Sequence, residues 1–436
     1  MIQAIFATPT TGLTTCERNA APVHAALLVI LVFQNLFNAY SPYLTLAINI
    51  AVATTLLIRY QLRCAVPAPV VIASVYAVLV WMLFVTVYRG NADSQIVLKY
   101  FRTTLAVGLF ALIFGSRLFP ASSVVKAINF ALGFHISLVM LQIVLPDLTT
   151  ITAPCFGFER EMTILEEYTV RKLGASSSYD TASLLSVFAL LFFYMQFTQG
   201  KGAKYLLMAI VAFVATFMSS RTGMALSFLI VTVIFGHAIL RARFIWKLVI
   251  FLSLTGFIMV TYILLFPLLL QTIGLSDLQS DDVNVIFAPT DYGTTGTLEA
   301  LTEVHLKPLD QPLFDLILGF AVDPNAIGRE TDIGYVKLIY HVGIVGTLVV
   351  LFVHLYMLVV TYMYARASVR DPDRLLIARI LLLLIAITLA FNYKSLEIHS
   401  RGIGDFIYLL FIFLASRRGL RGRSGGSSNT KALSRS

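Results

Sequence analysis

The order of apolar and polar residues sets the outline of this chain. Runs of 17–25 mostly apolar residues recur from end to end, separated by short polar links. Such a run, wound as a helix, matches the hydrocarbon thickness of a bilayer. The pattern predicts twelve spans, at about 22–39, 42–58, 67–88, 97–116, 122–145, 179–198, 203–219, 222–240, 246–270, 336–363, 375–393 and 402–416. The span from 97 carries Lys99 and Arg102 in its first turns, which can snorkel to the headgroups. The 336–363 run is long enough to tilt or to extend past the membrane. Two links break the rhythm. One covers 146–178, and the longest polar interruption, 271–335, gathers Asp, Glu, His, Lys and Arg with turn-forming Gly and Pro.

Composition agrees with a membrane protein of the all-α class. Residues are 58% hydrophobic and 13% charged, where a soluble domain carries about 25% charged residues. The expected organisation is a segment 1–21, one helical membrane domain over 22–416, and a Gly/Ser/Arg-rich disordered tail over 417–436. The N-terminal segment has no cleavable signal-peptide pattern, so the first helix is expected to act as an uncleaved anchor. Cys16, Cys64 and Cys155 match no metal spacing, and only Cys155 falls on the outer side of the predicted topology.

The net charge of +9 reads as a topology signal and not as a nucleic-acid footprint, because the basic residues are spread over loops without interleaved aromatics. Alternate links hold Arg59/Arg63, Arg117/Lys126, Lys201/Lys204, Arg241/Arg243/Lys247 and Arg366/Arg370/Arg374, and the tail adds more. With twelve alternating helices all of these fall on one side, which places both termini in the cytoplasm. Both long links and the Met218–Gly223 turn then lie on the opposite, external face.

Basic residues on that face need a reason. Arg89 and Lys172 read as rim snorkelling. Arg221 sits in a turn of few residues between two apolar helices, close to the membrane surface, where arginine is costly unless it is paired or faces water or an anion. It either pairs with a carboxylate or helix-end carbonyls, or clamps a diphosphate with its planar guanidinium. Arg160 and Arg171 are eleven residues apart, so a helix would point both the same way, towards ion pairs or a lipid-linked phosphate. Asp180 caps the following span in the plainer reading. Arg329, Glu330 and Asp332 end the long link: the carboxylates are helix caps or a general base beside a phosphate-binding arginine. His341 lies about two turns into the next span, as a core histidine or a base. His305 has no local support as a base, and Asp281–Asp282 read as solvated loop. Asp180 is the chief acidic exception in or near the spans, which favours an enzyme over an ion-coupled carrier.

These features together resemble the O-antigen polymerase and ligase superfamily of polysaccharide polymerases. The resemblance covers roughly 100–415 and rests on the polar link before the sixth span, the Ser220-Arg221-Thr222-Gly223 turn, and Asp332–Gly346 after the long link. It implies transfer of a glycan from an undecaprenyl-diphosphate carrier to a lipid-linked sugar acceptor at the outer face of the bacterial inner membrane. It also implies no cofactor and no metal, with a chain-length regulator and a flippase as partners. By position, Arg171 matches the family's arginine in the first external loop, Arg221 the arginine of the Ser-Arg turn, and Gly343–Gly346 the small-residue helix start. Arg160 and Arg329 join the diphosphate-binding set, with Glu330, Asp332 and His341 as candidates for the base. The chain departs from the pattern twice. Thr331-Asp332 stands where ligases place His-Asn, which favours a polymerase, and Arg160 and Arg329 have Arg171 and Tyr340, not Gly, eleven residues on. A ligase, a lipid-glycan flippase or transporter, and a receptor are the competing readings.

Overall fold

The computed structural model describes residues 68–90, 93–115, 120–155, 173–174, 179–241, 306, 309–329, 331, 333–369, 371–392 and 403–416. Among them every regular element is a helix and there is no strand. The helices are α1 (Pro69–Arg89), α2 (Ser94–Gly115), α3 (Ala121–Val144), α4 (Asp147–Cys155), α5 (Tyr179–Thr198), α6 (Ala203–Ser219), α7 (Arg221–Arg241), α8 (Leu313–Leu318), α9 (Gly334–Ala367), α10 (Pro372–Phe391) and α11 (Ile403–Ser416). Six of these contain segments long and apolar enough to cross a membrane: those of α1, α2, α3, α5, α9 and α10. Shorter apolar helical segments lie in α6, α7 and α11. The chain is thus a helical membrane protein. The expected spans 22–39, 42–58 and 246–270 lie outside the described residues.

The helices begin and end where local chemistry allows. Pro69 occupies the first turn of α1, where its missing N–H is not needed, and Gly90 ends the helix at φ 67° with its N–H on Thr86 O. Asp371 caps α10, accepting from Arg374 N–H, with Pro372 behind it. The α5–α6 turn uses Gly200 and Gly202 at φ 74° and 113°, which glycine adopts without steric penalty.

The chain divides into two compact units, Met1–Ala131 with His305–Ser436, and Leu132–Val304. In the first, α9 is the central element and packs on α1, α8, α10 and α11. Its core joins Val78, Leu79, Met82 and Val85 of α1 to Leu338, Val342 and Val350 of α9, with Ile96 and Tyr100 of α2. α11 is buried along its whole length from Ile403 to Leu414. Helix α11 has 14 residues and is only about 21 Å long, so it is enclosed by protein and does not present a lipid face. It also carries an acidic residue that the sequence reading overlooked. Asp405 is 6% exposed and acts electrostatically on Arg102 of α2. Arg102 therefore does not simply snorkel to the headgroups.

In the second unit α5, α6 and α7 pack against one another. α5 is buried at every position from Thr181 to Phe193. His135, in the part of α3 that belongs to this unit, ties α3 to α5: its Nε2 lies 3.1 Å from Ala182 O and 3.1 Å from Ser186 Oγ. A carbonyl oxygen only accepts, so Nε2 carries the proton.

Candidate functional site

The first unit holds a helix with a built-in break. α9 runs for 34 residues, but Gly343 stands at φ 69°, ψ 178°, outside helical geometry. The stretch beyond it, Ile344–Ala367, is about 36 Å long and can cross the roughly 30 Å hydrocarbon core alone. A break there frees backbone carbonyls that hydrocarbon cannot satisfy. The protein supplies their donors. Phe320 N–H and Ala321 N–H both point to Tyr340 O, at 2.8 and 3.1 Å, and the Trp81 indole N–H donates to Val342 O at 2.8 Å.

These donors arrive because two glycines let two backbones touch. A Cβ on Gly319 would lie 2.4 Å from Gly343 N, and one on Gly343 would lie 2.2 Å from Ile317 O. Arg89, at the end of α1, holds the approaching segment. It pairs with the Asp315 carboxylate at 2.7 Å, donates to Gly319 O at 3.0 Å, and stacks over Phe320 at 5.0 Å. The rim-snorkelling expectation for Arg89 is therefore replaced by a bracing role. Gly343–Gly346 stands at the start of the second helical stretch of α9, and a first stretch from Gly334 precedes it across the break.

Two of the expected site residues flank Tyr340. Arg329 follows a short 3₁₀ turn, Pro324–Ile327, that closes through Gly328 at φ 72° and Arg329 N–H on Pro324 O at 2.9 Å. Its Nη1 donates to the Tyr340 hydroxyl at 2.7 Å. The residue eleven places on from Arg329 is thus its hydrogen-bond partner. Tyr340 itself is fully buried and stacks on Phe320 with centroids 4.8 Å apart. His341 is also buried, edge-on to Tyr100 of α2 at 6.1 Å. Neither Tyr340 nor Trp81 stands out as a partner from sequence order; for Tyr340 the one local signal is the Gly343–Gly346 pair that follows it, and Trp81, on α1, has none.

The second unit positions Arg221. α6 ends at Ser219 and α7 starts at Arg221, so the expected turn shrinks to one residue, Ser220, in extended geometry. Ser220 Oγ accepts from Gly223 N–H at 3.2 Å, which makes it an N-cap and puts Arg221 at the first helical position. Gly223 is required by contact: an added Cβ would fall 1.3 Å from Ser183 Oγ of α5. The other expected arginine loop leaves its mark at Leu173–Gly174, directly after Arg171 and Lys172 in the chain. Both are buried. Gly174, at φ 54°, gives its N–H to Gln142 Oε1 at 2.9 Å, and the Gln142 amide donates to Thr152 Oγ1 of α4 at 2.8 Å.

Arg160, Arg171, Glu330, Asp332, His305, Asp281 and Asp282 lie outside the described residues. The side chains of Arg221 and Asp180 do so too. Among the described residues no cluster of His, Cys, Asp and Glu is arranged to hold a metal ion. No family model matches the chain. None of the curated proteins matches it either.

Proposed function

We propose that the chain is a polysaccharide polymerase. It transfers a glycan from an undecaprenyl-diphosphate carrier onto a lipid-linked acceptor at the outer face of the bacterial inner membrane, with both termini in the cytoplasm. The observation that carries this reading is the Ser220–Gly223 junction. An arginine at the first position of a helix sits where the helix dipole favours an anion. The guanidinium adds bidentate oxyanion geometry. Arg160, Arg171 and Arg329 complete the diphosphate-binding set. Charge on the departing diphosphate is stabilised by these cations without a metal. Glu330, Asp332 or His341 takes the proton from the attacking sugar hydroxyl. Thr331-Asp332 in place of His-Asn favours a polymerase over a ligase.

One observation favours a different class. Asp405 and Arg102 are ionisable groups inside the bundle, as transporters commonly have, so a lipid-glycan flippase is the second reading. Deleting the gene and resolving the surface glycans on a gel separates them. Loss of a polymerase leaves single repeat units on their acceptor; loss of a ligase leaves long glycan on its carrier. Loss of a flippase leaves no lipid-linked glycan at the outer face, and that outcome would exclude both transferases.

A further inference from the structure

The break in α9 has two ends, and the protein treats them differently. The carbonyl end is closed, because Tyr340 O and Val342 O take their hydrogen bonds from the 320–321 backbone and from Trp81. The other end is the start of the long stretch Ile344–Ala367. Its first turn marks the positive end of a helix dipole, with the Ile317 and Leu318 carbonyls lying against Gly343 beside it.

In the turn just before this end stands His341. It is 2% exposed, and among the described residues neither Nδ1 nor Nε2 has a hydrogen-bond partner. Buried polar groups are paired in nearly all proteins, so an imidazole open at both nitrogens needs an explanation. Its surroundings supply one. Lys337 lies one turn earlier on α9 and Lys99 comes from α2; both are half-buried and near enough to act on the ring electrostatically. Tyr100 closes the α2 side, edge-on to the ring. Two ammonium groups, an imidazole N–H and a helix start are all donors. Charge-assisted donors grouped at a helix start suit an oxyanion.

We propose that His341, Lys99 and Lys337, at the break in α9, form a binding site for a phosphoryl oxyanion. For its natural ligand the proposal rests on the lipid-diphosphate reading above; a phospholipid headgroup offers the same chemistry. Arg329 lies on the neighbouring Tyr340 and guards a separate face of the same turn. Arg221 belongs to the other compact unit, and its contribution is tested apart.

The test is calorimetric titration of inorganic pyrophosphate into the purified full chain in a non-ionic detergent. Saturable binding is expected, weakened at least tenfold by His341→Phe and by Lys337→Met, with Lys337→Arg close to wild type. His341→Phe keeps the ring and removes both unpaired nitrogens, so it should melt no lower than wild type while binding poorly; a histidine that only filled the core would show neither change in binding. Lys337→Met is half-exposed and carries the test if the phenylalanine variant fails to fold. Repeating the titration in phosphatidylcholine nanodiscs, with and without phosphatidylglycerol, identifies the source. Competition by phosphatidylglycerol assigns the site to lipid headgroups, and its absence assigns it to the substrate diphosphate. No saturable binding by wild type overturns the proposal, as do variants that bind within twofold of it. If Arg221→Ala alone abolishes binding, this site falls and the polymerase reading stands. If the His341 and Lys337 variants lose binding while gene deletion leaves surface glycans unchanged, the polymerase reading falls and this site stands.

Discussion

Replacing Gly343 by alanine tests the broken helix directly. The residue stands at φ 69°, ψ 178°, a region open to glycine alone, where another residue costs about 1–3 kcal/mol. The new Cβ would also sit 2.2 Å from Ile317 O and 2.4 Å from Leu318 C, both backbone atoms that no rotamer change can move. Relief requires the 317–321 segment to withdraw. That removes the Phe320 and Ala321 N–H groups from Tyr340 O and leaves a buried carbonyl unpaired, for about 1–3 kcal/mol more. The two terms together give roughly 2–6 kcal/mol. The comparison is Gly200→Ala, which has φ 74° but nothing within 4 Å of the added Cβ. Only the backbone preference applies there, about 1–2 kcal/mol. Reversible unfolding in mixed micelles measures both variants. The chain has two tryptophans, so a Trp246→Phe background leaves Trp81 as the sole emitter. Trp81 donates to Val342 O, and its emission should shift in Gly343→Ala and not in Gly200→Ala. Equal destabilisation of the two variants, with unchanged Trp81 emission, would refute the break and the brace built on it.

Three further outcomes are expected. Gly223→Ala should destabilise by about 1–3 kcal/mol through overpacking. Ser183→Ala should relieve only part of that loss, because Ser183 Cβ itself would lie 2.7 Å from the new methyl group; melting temperatures of the single and double variants decide it. A double-mutant cycle on Arg89 and Asp315, whose side chains are 21% and 29% exposed, should return a coupling of about 1 kcal/mol or less. Arg89→Ala alone should lose more than the cycle assigns to the pair, since its bond to Gly319 O goes with it. Arg221→Ala and Arg171→Ala should abolish polymer formation at normal protein levels in a complementation assay, and full activity in either variant would remove that residue from the site.

Much of the outline was legible in the chain because it depends on local order. The expected span 203–219 coincides with α6, and 179–198 with α5. The edges of 67–88, 97–116, 122–145, 222–240, 375–393 and 402–416 shift by no more than three residues. Helix length and apolar content are properties of consecutive residues, and the bilayer sets the required length. The same holds for the Ser220 cap, since an N-cap is read within one turn. The acid within the last span was visible too, at Asp405, but only its burial and its electrostatic influence on Arg102 of α2 give it weight.

Partnership across the chain was beyond the reach of sequence order. Arg89 and Asp315 are separated by more than two hundred residues and look like two loop charges until α8 packs beside α9. Gly343 reads as half of a small-residue pair with Gly346; its structural reason is the Gly319 backbone that touches it. Periodicity shows which residues share a helix face, but not which distant backbone supplies a donor to a freed carbonyl. The polar and apolar order of the chain alone determined a helical membrane protein with a conspicuous 271–335 insert. Tertiary structure decided that the end of this insert folds back as a brace, that α9 breaks at Gly343, and that His341 is buried there with both nitrogens open. Those outcomes depend on through-space contact, and only the folded chain brings the partners within hydrogen-bonding reach.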